Sequence, residues 1–276
     1  MQSIKPKFQD SCGFAMLANL NGDASEEIIQ KSIHGLKKLS HRGTVAADGK
    51  SSDGCGVLFK MDKNSILSLI DTENIVVPEK FAIAVLYLNP DKEKYDESLN
   101  IFNQELEKNK IGIFSIREVP IKPEYCGHQA LKDLPKIIQV YVNLDYLEKQ
   151  DDLEINLELL KIRKTVEELH RKKSIIENFY CASFSTYAIS YKALVSTENL
   201  ANFYPDLKEG KLKSSICLFH QRFSTNTYPE WKLAQPFRML AHNGEINTID
   251  GNRNWSLARS KELLNENLKE LADIRE

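Results

Sequence analysis

The sequence predicts an α+β fold with antiparallel sheets. Short apolar or alternating segments, typical of strands, recur along the 276 residues, and long amphipathic segments, typical of helices, lie between them. Because strands and helices do not alternate strictly, a doubly wound parallel sheet is disfavoured. No internal repeat or obvious domain boundary divides the chain. We therefore expect one domain into which the charged stretch from about 90 to 175 is inserted, with a second small lobe as the alternative.

The elements follow from local pattern. Ile29, Ile33 and Leu36 recur at helical spacing, and residues 81–88 are apolar throughout, as in a fully buried strand. The predicted strands are 13–20, 53–60, 81–88, 111–119, 137–144, 179–191, 214–223 and 237–245. The predicted helices are 24–39, 92–108 and 152–173, and residues 247–276 are predicted to be mostly helical.

Composition excludes several classes of protein. The net charge of −2 argues against a chain that grips nucleic acid, which usually needs a clustered basic excess. The longest apolar run, residues 81–88, is far shorter than the roughly 20 residues that span a bilayer. The five cysteines form no CxxC pair, so we expect neither a structural zinc site nor a disulfide framework. We expect a cytoplasmic protein in a reducing compartment, or one of the plastid stroma if the organism has plastids.

The densest polar segments follow two predicted strands near the C-terminal end. They are His220–Pro229 and His242–Thr248, and a further segment, Gly251–Trp255, comes soon after. Sites are commonly built from loops on a rigid scaffold. Asn243-Gly244 is equally typical of a type I′ hairpin turn, and Arg222 is equally compatible with a structural salt bridge.

Cys12 opens the first predicted strand behind a short polar tail. Most single cysteines are small core residues. If the tail is cleaved, however, Cys12 carries a free α-amine that can act as general base for its own thiol. A third cluster is His41-Arg42-Gly43, followed shortly by Asp53-Gly54. The first of these motifs is also typical of an ordinary helix end, with glycine at positive φ.

Together these segments resemble the class II glutamine amidotransferases, and among them the N-terminal domain of glutamate synthase large subunits. The resembling segments are Cys12–Phe14, His41–Gly43, Asp53–Gly56, Ser183–Ser185, Tyr191-Lys192, His220–Thr227, Trp231, Ala234–Pro236, Arg238, His242–Thr248 and Gly251–Trp255. The resemblance implies the four-layer αββα sandwich of N-terminal nucleophile hydrolases.

The resemblance also implies a catalytic group. Cys12 is expected to attack the side-chain amide of L-glutamine, release ammonia and leave a γ-glutamyl thioester that water hydrolyses. The side chain of Asn243 and the backbone N–H of Gly244 are expected to form the oxyanion hole, where one donor contributes roughly 2.7–4 kcal/mol.

Four further residues are expected to bind or position the substrate. Arg222 is expected to pair with the substrate α-carboxylate, with Thr225 nearby. Arg42 is expected beside the backbone of the nucleophile, and His242 is expected to orient the Asn-Gly turn. Cys55, Cys126, Cys181 and Cys217 are interpreted as packing residues, and Trp231 and Trp255 as core or supporting residues.

The resemblance divides the chain into a propeptide, residues 1–11, and an amidotransferase domain, residues 12–276, which we expect to be truncated at its C-terminus. Activity then requires cleavage between Ser11 and Cys12. No metal or cofactor is expected in this segment, since the FMN and 3Fe–4S cluster of the family belong to downstream domains. Those synthase domains, or a separate synthase chain, are the expected partners that use the ammonia, and no nucleic acid or membrane is expected as a partner.

Two alternatives to this glutaminase remain. The chain is an inactive or partner-dependent fragment with only a structural or binding role, or it is an amidase of the same superfamily with another substrate. The Asn226–Pro229 and Gly244–Thr248 details argue against the second alternative, because they resemble glutamate synthases in particular.

Overall fold

The computed structural model describes residues 12–147, 151–173, 179–208, 210–224, 228–238 and 250–259. The chain forms two compact units, each assembled from three separate stretches of sequence. Of the described residues, those within 1–59, 120–133 and 191–237 belong to the first unit, and those within 60–119, 134–190 and 238–276 belong to the second.

The described part contains eight strands and seven α-helices, several of them short. The strands are β1 (Gly13–Ala18), β2 (Cys55–Lys60), β3 (Phe81–Leu88), β4 (Gly112–Glu118), β5 (Lys136–Asn143), β6 (Tyr180–Ser185), β7 (Ala188–Ala193) and β8 (Ile216–Gln221). The helices are α1 (Glu26–Lys38), α2 (Lys63–Leu67), α3 (Lys92–Lys108), α4 (His128–Lys132), α5 (Asp152–Lys173), α6 (Leu200–Phe203) and α7 (Asp250–Ala258).

The first unit is built on a sheet with the strand order β1-β8-β2-β7. Of β7, residues 191–193 belong to this unit. β8 lies between β1 and β2 and is antiparallel to both. Helix α1 packs on β1 and β8 through its apolar stripe of Ile29, Ile33 and Leu36, which are almost fully buried. Gly35 lets the helix approach the sheet, because a Cβ at this position would lie 2.7 Å from the ring of Phe219.

The second unit is built on an antiparallel sheet in the order β4-β5-β3-β6, with α3 and α5 packed against it. Alternate residues of β3 join the core that these helices cover: Ala82, Ala84, Leu86 and Leu88. The residues between them are also buried, as predicted for a strand without polar positions. Asp91 caps the N-terminus of α3, and its carboxylate accepts the Lys94 N–H.

The α+β prediction is confirmed by two antiparallel sheets with helices packed against them. The single strand predicted over 179–191 is wrong, since β6 and β7 are separated by a turn at Thr186-Tyr187. Asn156 of α5 accepts the Thr186 N–H and Ser185 accepts the Tyr187 N–H, so side chains stabilise this turn without glycine or proline. Of the strand predicted over 237–245, residues 237 and 238 are not in a strand, and the rest lies outside the described residues.

Two glycines at the start of β2 let the backbone of a neighbouring loop approach closely. Gly54 has φ +100°, and a Cβ there would lie 2.7 Å from the Ala234 Cβ and 3.0 Å from its Cα. At Gly56 a Cβ would lie 2.7 Å from the Gln235 carbonyl oxygen. The buried Lys192 holds the same loop, because its ammonium donates to the carbonyls of Lys232 and Ala234 at 2.9 and 2.7 Å.

We expect Gly54→Ala to lower the free energy of unfolding by about 2–5 kcal/mol, because it adds left-handed strain to a backbone clash. Gly22→Ala is the matched control, since Gly22 has φ +82° but open space around it, and we expect a loss of only about 1–2 kcal/mol. Urea unfolding measures both values. Equal losses in the two variants would contradict the close approach at Gly54.

Candidate active site

The register of β8 brings three distant parts of the sequence together. Gln221 pairs with Gly13 of β1 on one side and with Cys55 of β2 on the other. Cys12 precedes the first of these pairs and Gly54 precedes the second, so both lie beside the chain that leaves β8. The Arg222 N–H donates to the Gly54 carbonyl at 3.0 Å, which extends the β2 pairing by one step.

The thiol of Cys12 makes two hydrogen bonds with one residue of this chain. The Phe223 N–H donates to Sγ at 3.3 Å, and the thiol donates to the Phe223 carbonyl at 3.6 Å. Cys12 is partly exposed, whereas the other four cysteines are buried. The two hydrogen bonds therefore give the sulfur a defined direction in a residue that is partly exposed.

The guanidinium of Arg222 is fixed next to this thiol. Its Nη1 donates to the main-chain oxygen of Asp53 at 3.2 Å, and its Nη2 donates to the Ser224 hydroxyl at 3.3 Å. Burial lowers the pKa of Arg222, while the charges of Asp53, Cys12 and Glu230 act in the opposite direction. Arg222 still carries its positive charge at neutral pH, because the ordinary pKa of arginine is above 12.

Asp53 is the buried acid of the cluster. The Ser224 N–H donates to its Oδ2 at 2.8 Å, and the Thr44 hydroxyl donates to the same oxygen. These bonds fix the chain just after Arg222, on the opposite side from Cys12. Asp53, Phe223 and Ser224 were visible in the sequence only as parts of motifs, and no sequence pattern distinguished Thr44 as a member of the cluster.

Arg42 lies against Gly13, the residue that follows Cys12. A Cβ on Gly13 would lie 3.2 Å from the Cβ and Cγ of Arg42. Gly43 ends a short helical turn, Ser40–Arg42, as predicted, but the positive φ expected of it is wrong, because its φ is −123°. Glycine is required there for space instead, since a Cβ would overlap the side-chain amide of Gln221.

Of the seven predicted site residues, the structure brings Cys12, Arg42 and Arg222 together. Thr225, His242, Asn243 and Gly244 lie outside the described residues, so their roles stay predictions.

The remaining cysteines are packing residues, as predicted. Burial raises the pKa of Cys55, raises that of Cys126 and of Cys181 to about 12, and raises that of Cys217 to about 11.

The two tryptophans differ. Trp231 is a core residue, as predicted, and its indole N–H donates to the Ala130 carbonyl at 3.0 Å. Trp255 is 69% exposed, so of its two interpretations, core or supporting residue, the first is wrong.

The described residues also bear on metal binding and on membrane insertion. Within the described ranges, no group of three or more His, Cys, Asp or Glu side chains is arranged to hold a metal ion. In the same part of the chain, no helix is both long and apolar enough to cross a membrane.

Comparison with known proteins gives a consistent result. Residues 12–275 match the family described as glutamine amidotransferases class-II. The chain is 36% identical over 251 residues to the glutamate synthase [NADPH] large chain of Azospirillum brasilense, a match covering 90% of this chain and 16% of that protein. It is 34% identical over 257 residues to ferredoxin-dependent glutamate synthase 2 of Synechocystis sp., covering 92% of this chain and again 16% of the relative.

We expect iodoacetamide near neutral pH to alkylate Cys12 at least about tenfold faster than any other cysteine, because the others are buried and have raised pKa values. Peptide mass spectrometry of samples taken over time measures the five rates. Urea-unfolded protein is the control, in which we expect all five to react at similar rates. Faster labelling of Cys126 or Cys217 than of Cys12 in the folded protein would contradict the arrangement.

Proposed function

Since the chain belongs to the class II glutamine amidotransferases, we propose that it hydrolyses the side-chain amide of L-glutamine with Cys12 as the nucleophile. The observation that carries the proposal is the meeting of Cys12 and Arg222 at the end of β8. A partly exposed cysteine and a fixed guanidinium beside it are what a glutaminase needs, namely a group to attack the amide and a cation to hold the amino acid.

The proposed reaction has two halves. The Cys12 sulfur attacks the amide carbon, and the proton of the thiol passes through the α-amine of Cys12 to the leaving nitrogen, which departs as ammonia. The product is a γ-glutamyl thioester. Water then attacks the thioester carbonyl, the carbon–sulfur bond breaks, and glutamate leaves as the thiol recovers its proton.

Four residues complete the proposed substrate site. Arg222 pairs with the α-carboxylate of glutamine, with Thr225 as a neighbouring hydroxyl donor. Arg42 supports the backbone of the nucleophile, a role supported by its contact with Gly13. His242 orients the turn that follows it.

The proposed oxyanion hole consists of the Asn243 side-chain amide and the Gly244 N–H. The tetrahedral intermediate concentrates negative charge on the former amide oxygen, and preorganised donors there lower the barrier by roughly 2.7–4 kcal/mol each.

We further propose that residues 1–11 are a propeptide and that residues 12–276 form the amidotransferase domain. The family match supports this division because it begins at Cys12. Cleavage of the Ser11–Cys12 peptide bond creates the α-amine that the reaction uses, so the uncleaved chain has no such base.

We propose that the ammonia is used to make glutamate from 2-oxoglutarate, because the relatives are named glutamate synthases. The chain spans 16% of the length of these two relatives, so the synthase reaction itself is assigned to partner domains or to a partner chain. The described residues do not fit an iron–sulfur cluster, because they contain no group of three suitable ligands. The proposal assigns the 3Fe–4S cluster and FMN to the partner, and it places the protein in the cytoplasm or plastid stroma.

A purely structural or binding role is less well supported. Such a role requires neither a partly exposed cysteine aligned by two hydrogen bonds nor an adjacent buried arginine.

Cys12→Ala is expected to lower glutamine hydrolysis by at least about 10³-fold, because the thioester cannot form. The measurement is glutamate release by purified protein that begins at residue 12, both unsubstituted and with the Cys12→Ala change. Cys126→Ala is the control, since Cys126 is buried and has no proposed role, and it must retain activity. Normal hydrolysis by the Cys12→Ala protein would overturn the proposed function.

Arg222→Lys is expected to raise the KM for glutamine by about 10- to 100-fold, because lysine cannot pair with the carboxylate through two parallel hydrogen bonds. Steady-state kinetics measure KM, and thermal unfolding shows whether the fold persists. Arg171→Lys is the control for a surface arginine, as Arg171 forms an exposed ion pair with Glu168. An unchanged KM in the Arg222 variant would remove Arg222 from the substrate site.

A further inference from the structure

Asp53 is a buried acid whose hydrogen bonds all lead towards the active site. Only 4% of its surface is exposed. Its Oδ2 accepts the Thr44 hydroxyl and the Ser224 N–H, and its main-chain oxygen accepts Nη1 of Arg222. Burying a carboxylate without such donors is strongly unfavourable, so these bonds determine where the side chain lies.

The Ser224 N–H, which donates to Asp53, belongs to the peptide group that faces the Cys12 thiol. This peptide group joins Phe223 to Ser224, and its carbonyl accepts the hydrogen bond of the Cys12 thiol. A trans peptide group is planar, and its C=O and N–H point in opposite directions. A carboxylate that fixes the N–H on one side therefore fixes the direction of the carbonyl on the other.

We propose that Asp53 is a positioning residue for the nucleophile: through the Phe223–Ser224 peptide group, it aims the Phe223 carbonyl at the thiol of Cys12. This role rests on the proposed glutaminase function. Asp53 does not contact Sγ or the substrate in this role. It sets the direction from which the sulfur approaches the amide carbon, and a misplacement of about 1 Å lowers reaction rates by about 100-fold.

Three substitutions separate hydrogen bonding from charge and from general stability. Asp53→Asn removes the charge but keeps an oxygen that accepts both Thr44 and Ser224. Asp53→Ala removes the acceptor. Asp48→Ala is the matched control, because Asp48 also anchors its loop by accepting hydrogen bonds from Ser51 and from the Gln129 N–H, yet none of them involves Cys12 or Phe223.

For Asp53→Ala we expect kcat for glutamine to fall by about 10- to 100-fold while KM changes by less than about threefold. KM is preserved because Arg222 binds the main-chain oxygen of residue 53, which every substitution retains. Asp53→Asn is expected to restore kcat to within about threefold of the unsubstituted protein, since it keeps both hydrogen bonds. Asp48→Ala is expected to leave kcat unchanged.

Alkylation of Cys12 by iodoacetamide gives a second measurement that does not depend on glutamine. We expect Asp53→Ala to change its rate by about threefold or more, because the thiol loses the aligned Phe223 carbonyl, and Asp53→Asn to leave it unchanged. If Asp53→Ala does not fold, Asp53→Glu takes its place, since it keeps the charge but displaces the acceptor by one methylene. We expect the same effects from it.

The results separate failure of this proposal from failure of the proposed function. Unchanged kcat and alkylation in Asp53→Ala or Asp53→Glu would overturn the role of Asp53, as would a rise in KM with kcat preserved or an Asp53→Asn variant as impaired as Asp53→Ala. An unsubstituted protein with no glutaminase activity would contradict the proposed function alone, because the alkylation rates still decide whether Asp53 positions Cys12.

Discussion

The site depends on the position of β8 between β1 and β2. One residue, Gln221, pairs with Gly13 on one side and with Cys55 on the other. That double pairing places Cys12 and Asp53 on opposite sides of the chain at Phe223-Ser224. Since a slip of one residue in a sheet turns every side chain to the other face, the register itself determines whether Cys12, Asp53 and Arg222 meet.

Close backbone approach is the second requirement, and it accounts for several residues that carry no chemistry. Gly54 and Gly56 leave room for the loop of Ala234 and Gln235, and the ammonium of Lys192 holds that loop by its carbonyls. These contacts support the start of β2 from one side while Arg222 binds it from the other. The start of β2 is thus held by contacts of its own, next to the segment whose Phe223 fixes the direction of the Cys12 thiol.

Much of the fold was predictable because its long elements have strong periodicity. The limits of β3, α3 and α5 agree with the sequence prediction, since an apolar run or a helical stripe is decided locally. The turn between β6 and β7 was missed because Asn156, distant in sequence, stabilises it. The composition of the two units could not be predicted for a similar reason: each combines three separate stretches, so no boundary is visible along the chain.

The candidate site was predictable only in part. The resemblance drew attention to Cys12, Arg42 and Arg222, which the structure brings together. The hydrogen bonds of Asp53 depend on the register of β8 and on the direction of one peptide group, and neither is encoded in a local pattern.

The most direct test of the central claim is peptide mass spectrometry after incubation with an electrophilic glutamine analogue. The account predicts one adduct, on the sulfur of Cys12, in a peptide that begins with Cys12. An adduct on another cysteine, or a Cys12 that is the first residue and yet stays unmodified, would contradict it.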